Sequence, residues 1–133
     1  MGLILNLETA TKVCSVALAQ DGEQLAFKES NDVEYSHSEK LTLFIADVLE
    51  AANKKAADLD AVAVSKGPGS YTGLRIGTST TKGLCYGLKI PIISVETLRA
   101  MCFNPLLKTR TACCALCWMP AEWKYIRQFL MKA

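Results

Sequence analysis

Residues 60–88 read DAVAVSKGPGSYTGLRIGTSTTKGLCYGL, and they decide the fold. The apolar run at 60–65 has strand character, the run from Leu74 to Leu88 has helical spacing, and GPGSYTGLR turns one into the other. A glycine-rich strand-to-helix turn is a place where phosphates bind, because free helix amides point out of it. The spacing fits neither common phosphate motif. Walker A needs G-x-x-x-x-G-K-[ST], whereas Gly67 and Gly73 are six apart and Leu74 follows. G-x-G-x-x-G fits Gly67 and Gly69 and misses at Thr72. The expected role is a tight turn with a capped helix start, with phosphate binding as the alternative.

The helix itself carries Gly73, Gly77, Gly83 and Gly87, each costing about 1 kcal/mol relative to alanine. Gly73 and Gly77 lie a turn apart on one face, beside a stripe of Leu74, Thr81, Leu84 and Leu88. Small residues in that arrangement let another backbone approach, and the expectation is a contact with a second subunit.

Upstream, residues 3–8, 13–20 and 23–30 are strand candidates, and Asp21-Gly22 is a two-residue hairpin signal. Ser36 and Glu39 have capping-box spacing before HSEKLTLFIADVLEAANK, where Leu41, Phe44, Ile45, Val48, Leu49 and Ala52 recur at helical intervals. Downstream, 90–94 reads as a short strand and a helix begins near Glu96. The order βββαβαβα, with right-handed crossovers after an antiparallel meander, predicts an α/β fold: a ribonuclease H-like, actin-like ATPase domain with a mixed sheet.

Composition narrows the function. The chain has 133 residues, half of them hydrophobic, and a net charge of only +2, without the dense basic stripe of an autonomous nucleic-acid binder. The N-terminus lacks a basic region and cleavage site, and no window is apolar enough for a membrane span, so a cytoplasmic protein is expected. The six cysteines read as buried or incidental thiols. His37 is the one histidine, which leaves no histidine pair for zinc. Cys114-x-x-Cys117 has zinc-knuckle spacing but no second pair, and no metal or catalytic residue is assigned.

The first loop, Glu8-Thr9-Ala10-Thr11-Lys12, is where actin-like ATPases place an acid and hydroxyls around phosphates and magnesium. With Gly67, Gly69 and Ser70 it forms the alternative nucleotide site, against a reading as ordinary turn chemistry. Nuclease chemistry needs several convergent carboxylates, and the strand at 61–65 ends in Ser65-Lys66.

The stretches ILNLETATKVCSVAL, YSHSEKL and LDAVAVSKGPGSYTGLRIGTSTTKGLCYGLKIPIISVETL closely resemble the N-terminal part of the bacterial TsaB family, also called YeaZ, over residues 3 to about 103. The resemblance implies a part in making threonylcarbamoyladenosine beside the anticodon of tRNA. It implies a non-catalytic scaffold, similar to the catalytic subunit TsaD without its metal-binding histidines. Such a scaffold pairs with TsaD, meets the ATPase TsaE through the complex, contacts tRNA only indirectly and forms homodimers when alone. No cofactor is implied for the chain itself, with ATP and magnesium belonging to the complex. The older glycoprotease, M22 peptidase label is not supported by a lone histidine.

The interface implied for the N-terminal helices comprises Leu41, Phe44, Ile45, Val48, Gly73, Leu74, Gly77, Thr81 and Leu84. The family continues into a second domain, whereas this sequence stops at 133 and changes character from about Lys108. The expected organisation is a domain at 1–107 and an atypical tail at 108–133, a truncated or frame-shifted remnant with a short helix near 121–131.

Overall fold

A computed structural model describes residues 2–30 and 37–102. The Ser36–Glu39 capping box, the tail at 108–133 and its helix near 121–131 lie outside the described residues. The elements are β1 (Leu3–Glu8), β2 (Cys14–Gln20), β3 (Glu23–Ser30), α1 (His37–Ala51), a short 3-10 turn (Ala56–Asp58), β4 (Ala61–Ser65), α2 (Tyr71–Leu88), β5 (Ile92–Val95) and α3 (Thr97–Cys102). The sheet runs β3-β2-β1-β4-β5, antiparallel across β3, β2 and β1 and parallel across β1, β4 and β5. This is the ribonuclease H-like arrangement expected from the element order.

Local chemistry explains the boundaries. Asp21 and Gly22 adopt φ of 53° and 84°, the positive values a type I′ turn needs, so β2 folds back directly into β3. Helix α2 starts at Tyr71, ahead of the expected Leu74, because the Ser70 hydroxyl accepts the Gly73 N–H at 3.3 Å and caps it. It ends at Lys89 in the left-handed conformation, whose N–H returns to the Cys85 carbonyl. Asp60 fastens the start of β4 to the start of β1, its carboxylate accepting the Leu3 N–H at 2.6 Å and its own N–H donating to the Leu3 carbonyl at 2.9 Å.

Alternation along the strands sorts the side chains. Leu3, Leu5 and Leu7 of β1, Cys14, Val16 and Leu18 of β2, and Val62 and Val64 of β4 belong to one core with Leu41, Phe44, Ile45, Val48 and Leu49 of α1. Helix α1 packs on β2 and β3, α2 packs on β4, and the two helices touch, which puts both on one face of the sheet. Each large apolar side chain buried there contributes about 1.5–3 kcal/mol. The other strand positions carry small or polar groups: Asn6, Glu8, Ala17, Ala19, Ala61, Ala63 and Ser65, all buried.

One expectation is corrected by this packing. Leu41, Phe44, Ile45 and Val48 are not an outward docking stripe: their exposures are 0%, 8%, 7% and 2%. The apolar face of the β2–β3 hairpin must be covered, and α1 is the layer that covers it. The outward positions on α1 are Thr42, Leu43, Ala46 and Glu50.

Candidate functional site

Because β1 and β4 are parallel neighbours with Leu7 opposite Val64, the next residues, Glu8 and Ser65, end side by side at the carboxyl edge of the sheet. Crevices outside such strand ends are where α/β folds bind ligands. Glu8 is 2% exposed and fully engaged by its own chain. Its Oε1 accepts the Ala10 N–H at 2.8 Å, and its Oε2 accepts the Ser65 hydroxyl in a short contact. Burial pushes this carboxyl up from its ordinary 4.5 to about 7, against the opposing pull of the hydrogen bonds from Ser65, Ala10 and Thr9.

The turn held by Glu8 is the seat of α2. The Ser70 N–H donates to the Ala10 carbonyl at 2.5 Å. Gly69 lies against Ala10, and a Cβ on Gly73 or Gly77 would strike the Thr9 carbonyl or the Thr9 hydroxyl. Glycines a turn apart therefore form a groove that receives the Thr9 backbone at Gly73 and the Thr9 side chain at Gly77. The Thr81 hydroxyl, one turn further, donates to the Gly77 carbonyl at 2.8 Å. Gly67 adopts φ of 106°, which favours glycine, and its carbonyl accepts the Thr97 N–H at 3.0 Å, tying the same turn to α3.

The expected site residues thus divide. Glu8, Thr9, Gly69, Ser70, Gly73 and Gly77 do converge, but around Ala10 of the same chain. Gly73, Gly77 and Thr81 are buried, and they admit the first loop of their own domain rather than a second subunit. Leu84 is half-buried against the core and Leu74 half-buried with its tip near Gly67. The Thr11 hydroxyl accepts the Val13 N–H at 3.2 Å, an ordinary turn contact. Among the described residues no three His, Cys, Asp or Glu side chains gather as a metal site. Cys14, with its thiol pushed up to about 11 chiefly by burial, and Cys85, raised for the same reason, stay protonated in the core. No described helix is long and apolar enough to cross a membrane.

The residues missed by the sequence reading are those beside the core stripes. On α2, Tyr71, Arg75, Ser79, Lys82 and Tyr86 recur at helical spacing along the solvent side. Tyr71 is 73% exposed and Tyr86 90%; on α1, Leu43 is 62% exposed. The Arg75 guanidinium stacks over the Tyr71 ring at 5.3 Å and donates to its hydroxyl at 3.3 Å, ordering both. Exposed tyrosine and arginine are residue types enriched where proteins dock. The signal was available as a second periodic set, 71-75-79-82-86, offset from the glycines.

The fold and its plugged strand ends define a ribonuclease H-like, actin-like domain. Thermus thermophilus RuvC, in complex with a Holliday junction substrate, shares the fold alone, with a TM-score of 0.57 at 8% identity over 99% of this chain and 90% of that one. YeaZ from Pseudomonas aeruginosa superposes with a TM-score of 0.69 at 33% identity, over 76% of this chain and 46% of that chain. The family model described as "TsaD: tRNA N6-adenosine threonylcarbamoyltransferase" matches residues 31–118. The tRNA threonylcarbamoyladenosine biosynthesis protein TsaB of Escherichia coli is 40% identical over 98 residues, 74% of this chain and 42% of that protein. The chain belongs to the TsaB (YeaZ) family. It spans less than half the length of the curated relative from Escherichia coli.

Two predictions follow from the clamp. Gly77→Ala overpacks the seat of Thr9 and is expected to cost about 1–3 kcal/mol. Gly83→Ala, which meets nothing within 4 Å, is expected to gain up to about 1 kcal/mol from helix propensity. Urea unfolding of both variants distinguishes the two. The second concerns pH. Between 4.5 and about 7 the folded chain holds a Glu8 proton that the unfolded chain has released. That stability is fully present below 4.5 and is lost as pH rises through about 7, amounting to on the order of 3 kcal/mol. Glu8→Gln is expected to flatten this slope when unfolding free energy is measured across the range.

Proposed function

We propose that this chain acts in the cytoplasm as a non-catalytic partner subunit of the machinery that installs threonylcarbamoyladenosine on tRNA, docking on TsaD through the outer surface of its α1–α2 layer. The observation that carries the reading is the exposed set Leu43, Tyr71, Arg75 and Tyr86 on two adjoining helices. Support for the pathway comes from the TsaB relatives, and for a TsaD-type partner from the match to that family's model over residues 31–118. TsaE and tRNA would be met through the complex, and the same helical layer would serve self-association when TsaD is absent. The reaction itself would fall to the partner, since the strand-end crevice is filled by Thr9 and Ala10 and offers one carboxyl already satisfied by the domain.

The docking surface is checked by titrating TsaD of the same organism with this chain. Leu43→Glu and Tyr71→Ala, which touch no core contact, are each expected to weaken binding about tenfold or more. Affinity unchanged in both would overturn the assignment.

The nucleotide reading predicts the opposite occupancy of the glycine turn. The Ser70 N–H is already bonded to Ala10 and the Gly73 N–H to Ser70, which removes donors that a phosphate would need. Calorimetric titration with ATP and magnesium is therefore expected to reveal no binding tighter than about 10 μM, near −7 kcal/mol. Tighter binding would restore that reading.

A further inference from the structure

On the flank of α2 that faces β5, Gly83 has no role in the packing of the domain. A glycine inside a helix weakens it, yet a Cβ at Gly83 would meet nothing within 4 Å. What the missing side chain does is keep open a groove of about 640 Å³ between α2 and β5. Cys85, Tyr86, Ile90 and Ile92 give that groove an apolar lining, and Lys82 supplies its one charge. Lys89, exposed just ahead of the strand, adds a second. Among the described residues neither lysine has an acidic partner, whereas Glu96, beyond the far end of β5, is held by Lys66 at 3.2 Å.

The groove borders unpaired backbone. Val62 N–H donates to the Pro91 carbonyl at 3.2 Å and Lys66 N–H to the Val95 carbonyl at 2.9 Å. With Val62 opposite Ile92 and Val64 opposite Ser94, the odd residues of β5 bond to β4. Backbone groups of a strand alternate in direction, so the N–H and C=O of Ile92 and Ser94 point outward. Sheet edges are ordinarily blunted by charge, as β3 is by exposed Glu23, Lys28 and Glu29. No charge interrupts Ile90 to Val95, and Ile92, Ile93 and Ser94 are all exposed.

We propose that the α2–β5 groove binds an extended acidic peptide of another protein, which adds to the sheet as a sixth strand beside β5. In strand addition the main chain supplies hydrogen bonds and a neighbouring groove selects alternate side chains. Both parts are present here. Apolar residues at every second position of the peptide fit Ile90, Ile92 and Tyr86, and the uncommitted charges of Lys82 and Lys89 call for acidic residues at the start of β5. Antiparallel addition, the more stable pairing, places those acids at the C-terminal end of the peptide. The site is built without Leu43, Tyr71 or Arg75, so its test does not depend on the docking proposed above.

The probe is a fluorescein-labelled peptide TVTVTVDE, titrated with the whole 133-residue chain and followed by anisotropy. Binding at about 100 μM or tighter is expected. Gly83→Leu fills the groove at a position with open space around it, and Ser94→Pro removes an outward N–H without touching the β4 ladder. Each is expected to weaken binding about tenfold or more, with urea unfolding showing that both variants remain folded. The peptide TVTVTVKK is expected to bind about fivefold more weakly, a difference that shrinks as salt is raised. Hydrogen exchange gives a second readout, since the Ile92 and Ser94 amides should gain protection when TVTVTVDE is added. No binding up to about 1 mM, or an affinity that both substitutions leave unchanged, overturns the proposal. So does protection of the two amides without peptide: at every concentration it would mean that the chain covers its own edge, and rising with concentration it would mean that a second copy does.

Discussion

The domain depends on one close approach: Thr9 and Ala10 seated in the groove left by Gly69, Gly73 and Gly77. Glu8 holds the turn from below through Ala10 and Ser65, and Ser70 holds it from above through the Ala10 carbonyl. The ends of β1 and β4, the first loop and the start of α2 are therefore one unit. No side chain larger than hydrogen fits at the contact, which accounts for the glycine before the cap and for two glycines in the first turns of a helix that would otherwise be weakened by them.

That contact also fixes what the strand ends can do. In folds of this class the carboxyl edge of the sheet is the usual ligand crevice. Here the acid at the end of β1 is buried, partly protonated near neutral pH and satisfied by its own chain. The exposed tyrosines, Arg75 and Leu43 lie elsewhere, on the outer faces of α1 and α2.

Much of the architecture was legible because its signals are local. Asp21-Gly22 can hardly be anything but a hairpin, and the interval from Leu41 to Ala52 has helical period and no other. The start of α2 was placed late because Ser70 caps it from within a turn already rich in glycine. The site was less legible. Periodicity identifies a stripe of apolar or small residues, but a core stripe and a docking stripe have the same period, and Leu41, Phe44, Ile45 and Val48 were assigned to the wrong one.

The sequence by itself determined the element order, the mixed sheet, the glycine turn and the family, because propensity, turn chemistry and motif spacing act over a few residues. Only the tertiary structure decided which way each helix faces. That choice rests on which surface the sheet needs covered and on what stands opposite each glycine. The partner of Gly77 proved to be Thr9, far back in the chain, and no local pattern encodes a contact of that separation.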